Sequence, residues 1–221
     1  MRIGVIGAGR IGGGAARQLA QAGHELLLSY SRDPKRLDLL AEELGDRVTV
    51  GEVRDAAVYG DVVLLSVPWR LVPDVLETAG ALDGKVVIDT TNHFASGGLR
   101  TLPPGRTAAR VNADRMPGAR VVKAFNTLTA GFQRTEAGRA GEPVVLFLCG
   151  DDPQAKAIVA GLIEDAGFAP CDLGGLDDTA PMEAPRRPGA VYGEEYRPAD
   201  ARAAQDALAA GRPIPPTPRY D

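Results

Sequence analysis

Three glycines carry the first chemistry in this chain. Gly7, Gly9 and Gly12 stand in the run Gly7-Ala8-Gly9-Arg10-Ile11-Gly12, directly after the apolar residues Ile3, Val5 and Ile6 and ahead of a segment with helical spacing. That pattern, in a strand–turn–helix setting, is the dinucleotide fingerprint. Gly7 permits the tight turn, Gly9 lets backbone N–H groups approach a pyrophosphate, and Gly12 lets helix and strand pack closely. The pyrophosphate then rests on the positive end of the helix.

A second group lies about twenty residues on, where an NAD-preferring protein carries an acidic residue for the ribose hydroxyls. Here the chain reads Ser29-Tyr30-Ser31-Arg32. Asp33 follows, but it precedes Pro34 and a helical run, so it is expected to cap that helix with Pro34 in the first turn. Ser31 and Arg32, with Lys35 or Arg36, remain as hydroxyl and cationic donors for a 2′-phosphate, which predicts NADP over NAD. An ordinary solvated loop is the competing reading.

Further polar residues fall at the carboxyl ends of apolar runs, where parallel sheets bind ligands. Ser66-Val67-Pro68-Trp69 ends one such run, Thr90-Thr91-Asn92-His93-Phe94 follows another, and Asn126 ends a third. Trp69, His93, Phe94 and Phe125 are candidates to line a second-substrate pocket, with His93 and Asn126 as substrate-positioning residues. No Ser-Tyr-Lys grouping or carboxylate pair accompanies them, and His93 is the one group there that titrates near neutrality. Lys123, inside an apolar run, requires a partner. An ion pair with Asp89 and a place in the site are both compatible with the sequence.

The elements that position these residues alternate. Helical spacing at Ile11, Ala15, Leu19 and Ala22 ends at Gly23, and strands are expected at 26–29, 48–50, in the apolar run 61–68, and at 86–89, 121–126 and 143–149. Helices are expected at 55–59, 71–79, 107–116 and, capped by Asp152-Pro153, through Ala166, with a loop over the strand ends at 95–106. His24 falls in a turn and is read as structural. Alternating strands and helices with near-continuous apolar strands specify an α/β, Rossmann-type doubly wound, mostly parallel sheet with helices on both faces. Residues 1–183 are assigned to this NADP-binding domain.

Residues 184–221 form a different segment, holding seven of the 17 prolines but also three of the five tyrosines, Tyr192, Tyr196 and Tyr220. Free tails are poor in aromatics. This C-terminal arm, with one helix over 199–210, is expected to dock on its own domain or on a second subunit, and a homodimer is predicted from its tyrosines.

Composition excludes other classes. A formal net charge of −4 without a basic block argues against a nucleic-acid partner. The strand that starts at residue 3 leaves no leader, and no apolar run is long enough to span a membrane, which predicts a cytoplasmic protein. The two cysteines, Cys149 and Cys171, sit singly in apolar surroundings and are read as core residues, with no metal site.

Together, Gly7 to Gly12, Ser31-Arg32-Asp33-Pro34, Ser66-Val67-Pro68, Asp89-Thr90-Thr91-Asn92 and Val122-Lys123-Ala124-Phe125-Asn126-Thr127 resemble the NADP oxidoreductases that use the deazaflavin coenzyme F420, a fold shared with the cytosolic domain of the STEAP metalloreductases. The likeness spans residues 1–183, and the Lys-Ala-Phe-Asn stretch is its most specific part. It implies that Ser31 and Arg32 hold the NADP 2′-phosphate and that Ser66 to Trp69 and Asn126 border the nicotinamide; Asn92 is a further cofactor-binding candidate. The chain departs from the family pattern at Tyr30, at His93 and after residue 184. The implied function is hydride transfer between NADPH and coenzyme F420. Two others remain open: an NADPH-dependent reductase of a small imine, ketone or flavin, and a non-catalytic NADP sensor.

Overall fold

The apolar runs form one eight-stranded sheet in the computed structural model, which describes residues 1–31, 33–217 and 219–220. In chain order the elements are β1 (Arg2–Ile6), α1 (Arg10–Gln21), β2 (Glu25–Ser29), α2 (Lys35–Leu44), β3 (Val48–Val50), α3 (Val53–Tyr59), β4 (Val62–Leu65), α4 (Val72–Ala79), β5 (Val86–Asp89), a small hairpin β6 (Phe94–Ala95) and β7 (Gly98–Leu99), α5 (Ala108–Ala113), β8 (Arg120–Lys123), α6 (Ala130–Glu136), β9 (Val145–Gly150), α7 (Pro153–Asp165), β10 (Ala169–Asp172) and α8 (Pro198–Ala209). The strand order is β10-β9-β8-β5-β4-β1-β2-β3. Six strands from β3 to β8 run parallel, and the order reverses between β1 and β4, which opens a crevice at their carboxyl ends. Within this sheet, among the described residues, the β8–β9 pairing is the antiparallel one, and β10 is again parallel to β9.

Period-two alternation sends side chains to both faces of the sheet. Ile3, Val5, Leu28, Leu64, Ile88 and Val122 pack under α1, α2 and α7. Ile6, Val63, Leu65, Val87 and Val121 pack under α3, α4 and α5. All are essentially fully buried, which explains strands that read as unbroken apolar runs.

Several boundaries differ from expectation. Asp33 does not cap α2 with its side chain: the helix starts after Pro34, and the Asp33 N–H instead donates to Ser31 Oγ at 3.2 Å. The loop at 95–106 contains the β6–β7 hairpin, and α5 stops at Ala113 where Asp114 closes its last turn. Helix α6 carries the β8-to-β9 connection and was not expected. Its only strong local signal is Thr129, which accepts the Phe132 N–H.

The C-terminal segment docks on its own chain. Tyr196, Val191, Ala201, Ala204 and Ile214 cover the faces of Val145, Phe147 and Cys149. Tyr196 meets Phe147 edge to face at 5.2 Å, and its carbonyl accepts the Val145 N–H at 2.9 Å. Without this cover, β9 would present apolar side chains to water. Burial pushes both thiols up, Cys171 to about 12, which fits core residues rather than nucleophiles.

Candidate active site at the carboxyl ends of the strands

The fingerprint glycines sit in the β1–α1 turn, and protein neighbours require two of the three. A Cβ on Gly7, whose φ is +103°, would lie 2.4 Å from the Ser66 carbonyl oxygen, and one on Gly12 would lie 2.0 Å from that of Gly7. Strand and helix packing thus dictates both. A Cβ on Gly9 would meet no protein atom within 4 Å. Nothing in the protein demands a glycine there, and the space beside it is open. The same residue is the N-cap of α1, with no side-chain cap bond and no acidic residue in the first turn. The helix presents free N–H groups and its positive end to that opening, a fit for a pyrophosphate. A cavity of about 1020 Å³ runs from Gly9 and Arg10 along the flank of α1, past Arg17 and Gln18, between α2 and α6.

The neighbouring loops converge on this crevice. Gly7 N–H donates to Ser29 O at 2.9 Å and Ser66 N–H to Ile6 O at 2.8 Å, fixing the ends of β2 and β4 beside β1. Tyr30, next in line, has φ of 59°, in the left-handed region that only a few per cent of non-glycine residues adopt. Ser31 is half-buried, and Lys35 is exposed at the start of α2. Arg32 lies outside the described residues. Beyond β4, Ser66 Oγ accepts from Thr90 Oγ at 2.9 Å, Val67 is buried, Pro68 is exposed and Trp69 begins a 3₁₀ turn.

The second-substrate candidates divide sharply. Phe125 is 0% exposed and part of the core, and Trp69 is 4% exposed, covered by the Arg115 guanidinium 5.1 Å from its ring centre. Both rings are buried, and Phe125 has φ of 58°, in the left-handed region. Phe94, at 51%, is the aromatic that faces solvent. His93 is buried in a T-shaped contact with Trp69, and its Nδ1 has no hydrogen-bond partner among the described residues. Burial lowers its pKa, opposed in part by Glu183, so the ring is neutral near pH 7.

Asn126 and Asn92 bridge β8 and β5. Asn92 Nδ2 donates to Asn126 O at 3.1 Å, and Asn126 Nδ2 donates to Met182 O at 2.7 Å. The amide of Asn126 therefore secures the segment after β10 against the strand ends. Lys123 has a clear partner set: its Nζ lies 3.1 Å from Asp89 Oδ2 and also donates to the Thr91 carbonyl, with both charged side chains fully buried. Asp89 Oδ1 accepts the Thr91 N–H at 2.8 Å. The pair is an internal brace for the turn that carries Asn92 and His93.

Sequence reasoning missed Asn112, Arg115 and the role of Glu183. Glu183 caps α5, accepting from Ala108 and Ala109 N–H at 2.9 and 3.0 Å. Asn112 shares the buried face of α5 with Ala108 and Ala109. A lone amide on an apolar stripe was the signal available.

The family described as NADP oxidoreductase coenzyme F420-dependent matches residues 2–93. A proposed F420-dependent NADP reductase from Arthrobacter sp. FB24 superposes with a TM-score of 0.69 at 30% identity, covering 80% of this chain and 86% of that one. The chain belongs to the F420-dependent NADP oxidoreductase family. A hypothetical protein from Sinorhizobium meliloti is also similar, with a TM-score of 0.78, 31% identity and coverage of 89% and 95%. The metalloreductase STEAP3 of Rattus norvegicus is 30% identical over 184 residues, which are 83% of this chain and 36% of that protein. The chain thus spans about a third of the length of the curated relatives it matches. The family membership accounts for the fingerprint and for the Rossmann-type sheet. Among the described residues no helix is long and apolar enough to cross a membrane, and no group of three metal-ligating side chains occurs.

Proposed function

We propose that the protein binds NADP(H) across the carboxyl ends of β1, β2 and β4 and passes a hydride between the nicotinamide and coenzyme F420. The observation that carries the reading is Gly9: the one fingerprint glycine whose missing side chain leaves space for a ligand rather than for the protein. Gly7 to Gly12 would hold the pyrophosphate, with Arg10 beside it. Ser31, Arg32 and Lys35 are the candidates for the 2′-phosphate. Ser66 to Trp69, Asn92 and Asn126 would border the nicotinamide.

When bound, NADPH supplies the hydride; the chain supplies position and electrostatics. Its residues at the strand ends support transfer without a protein acid. His93 is held neutral by burial, and Asp89 and Lys123 neutralise each other inside the fold. Reduction of a ketone needs a proton donor within reach of the carbonyl oxygen, whereas a deazaflavin takes up a hydride at carbon. The 93–100 hairpin, tied by Arg100 N–H to His93 O at 2.7 Å, brings Phe94 to the same end of the sheet. The test is NADPH oxidation followed optically with and without purified F420. Turnover that requires F420 supports the reading. NADPH oxidation with ketones or imines but not with F420 overturns it.

A further inference from the structure

We infer that Asn112 and Arg115, one on α5 and one in the turn that ends it, are positioning residues that set both loops at the nicotinamide end of the site. The inference rests on the reading above for where the nicotinamide lies. Its own support is a continuous chain of contacts.

Asn112 Nδ2 donates to Asp89 Oδ2 at 3.1 Å and to Thr91 Oγ at 3.0 Å, so this one amide braces the turn after β5. Its Oδ1 accepts from Arg115 Nη1 at 2.8 Å. The same guanidinium lies over the Trp69 ring at 5.1 Å, and Trp69 meets His93 in a T-shaped contact at 6.2 Å. The chain of contacts therefore runs from the β5 turn through Asn112 and Arg115 to the β4 loop and back to His93. Both loops depend on α5, whose N-terminus is held in turn by Glu183, itself bonded to Thr179 Oγ at 2.7 Å. Among the described residues Arg115 forms no salt bridge, and Asp89 acts on it only at a distance. Its planar face and its fork of donors are what the site uses, and lysine would supply neither.

Trp69 is the single tryptophan, so intrinsic fluorescence reads this loop directly. Arg115 is exposed apart from these two contacts, and Arg115→Met should fold with a near-wild-type melting temperature. The expected result is a shifted Trp69 emission and weaker energy transfer from Trp69 to bound NADPH. Calorimetric NADPH affinity should stay within about twofold while turnover falls about 10- to 100-fold, the scale of a misplaced reacting group. Arg115→Lys, which keeps a cation over the ring, should recover part of the emission signal but little of the turnover. Unchanged turnover in Arg115→Met overturns the inference, as do equal losses of NADPH affinity and turnover. If the wild type reduces neither F420 nor another acceptor, the proposed function fails on its own. The positioning role is then decided by energy transfer in the NADPH complex, and an unchanged signal in Arg115→Met overturns it.

Discussion

Gly9→Ala separates a glycine kept for a ligand from glycines kept for packing. At Gly9 the backbone, with φ −76° and ψ −152°, suits alanine, and no protein atom lies within 4 Å of the new Cβ. The stability cost is then the weaker N-cap preference of alanine, about 0.5–1 kcal/mol. For a chain of this size that lowers the melting temperature by about 1–4 °C. Gly12→Ala is the control: its Cβ would press to 2.0 Å from the Gly7 carbonyl oxygen and 2.9 Å from Ser66 Cβ. Backbone must move, which costs about 3 kcal/mol and about 6–12 °C. For binding the order reverses. A methyl at Gly9 intrudes where the pyrophosphate meets the helix N–H groups, and losing one charge-assisted bond costs about 1.5–3 kcal/mol. That is about 10- to 100-fold in affinity. Thermal melts by circular dichroism give the first quantity, and NADPH titrations followed by Trp69 fluorescence give the second. A Gly9→Ala protein that binds NADPH like the wild type would refute the assignment of the opening at α1 to the dinucleotide.

Arg32→Ala should weaken NADPH by about 10- to 100-fold, the worth of one hydrogen bond to a charged group, and leave NADH nearly unchanged; equal losses in parallel titrations would remove the 2′-phosphate role. Lys123→Met leaves the Asp89 carboxylate buried and unpaired, a cost of about 3–5 kcal/mol, so urea unfolding should show a loss of that size, partly restored in the Asp89→Asn/Lys123→Met double variant. A loss under about 1 kcal/mol would show the brace to be dispensable. Burial lowers the His93 pKa below its ordinary 6.5, so the unfolded chain takes up this proton first as pH falls. The neutral ring's contribution to stability is thus fully present above pH 6.5 and is lost as pH drops toward the folded-state value. His93→Gln should flatten stability between pH 7 and 5, and an unchanged slope would place the ring's titration elsewhere.

Much of the fold was legible because its signals are local. Gly7 and Gly12 announce a turn too tight for a side chain, with Gly9 completing the spacing, and the unbroken apolar runs at Val62–Leu65 and Val86–Asp89 can be satisfied only by strands covered on both faces. The Asp152-Pro153 helix start and the Tyr-rich arm were readable for the same reason, since capping and aromatic content are properties of neighbours in sequence. Other features depend on meetings between distant residues. Whether Trp69 and Phe125 face a ligand or the core follows from backbone torsions and from Arg115 lying over one ring, neither of which periodicity encodes. Lys123 could be known to need a partner, but only the register that sets it beside Asp89 provides one. The brace through Asn112, Arg115 and Glu183 joins α5 to loops more than twenty residues before it and to Glu183, 75 residues after Ala108. Sequence reveals local conformational necessity; the sheet order and helix packing decide which buried polar groups meet, because burial without a partner is too costly to persist.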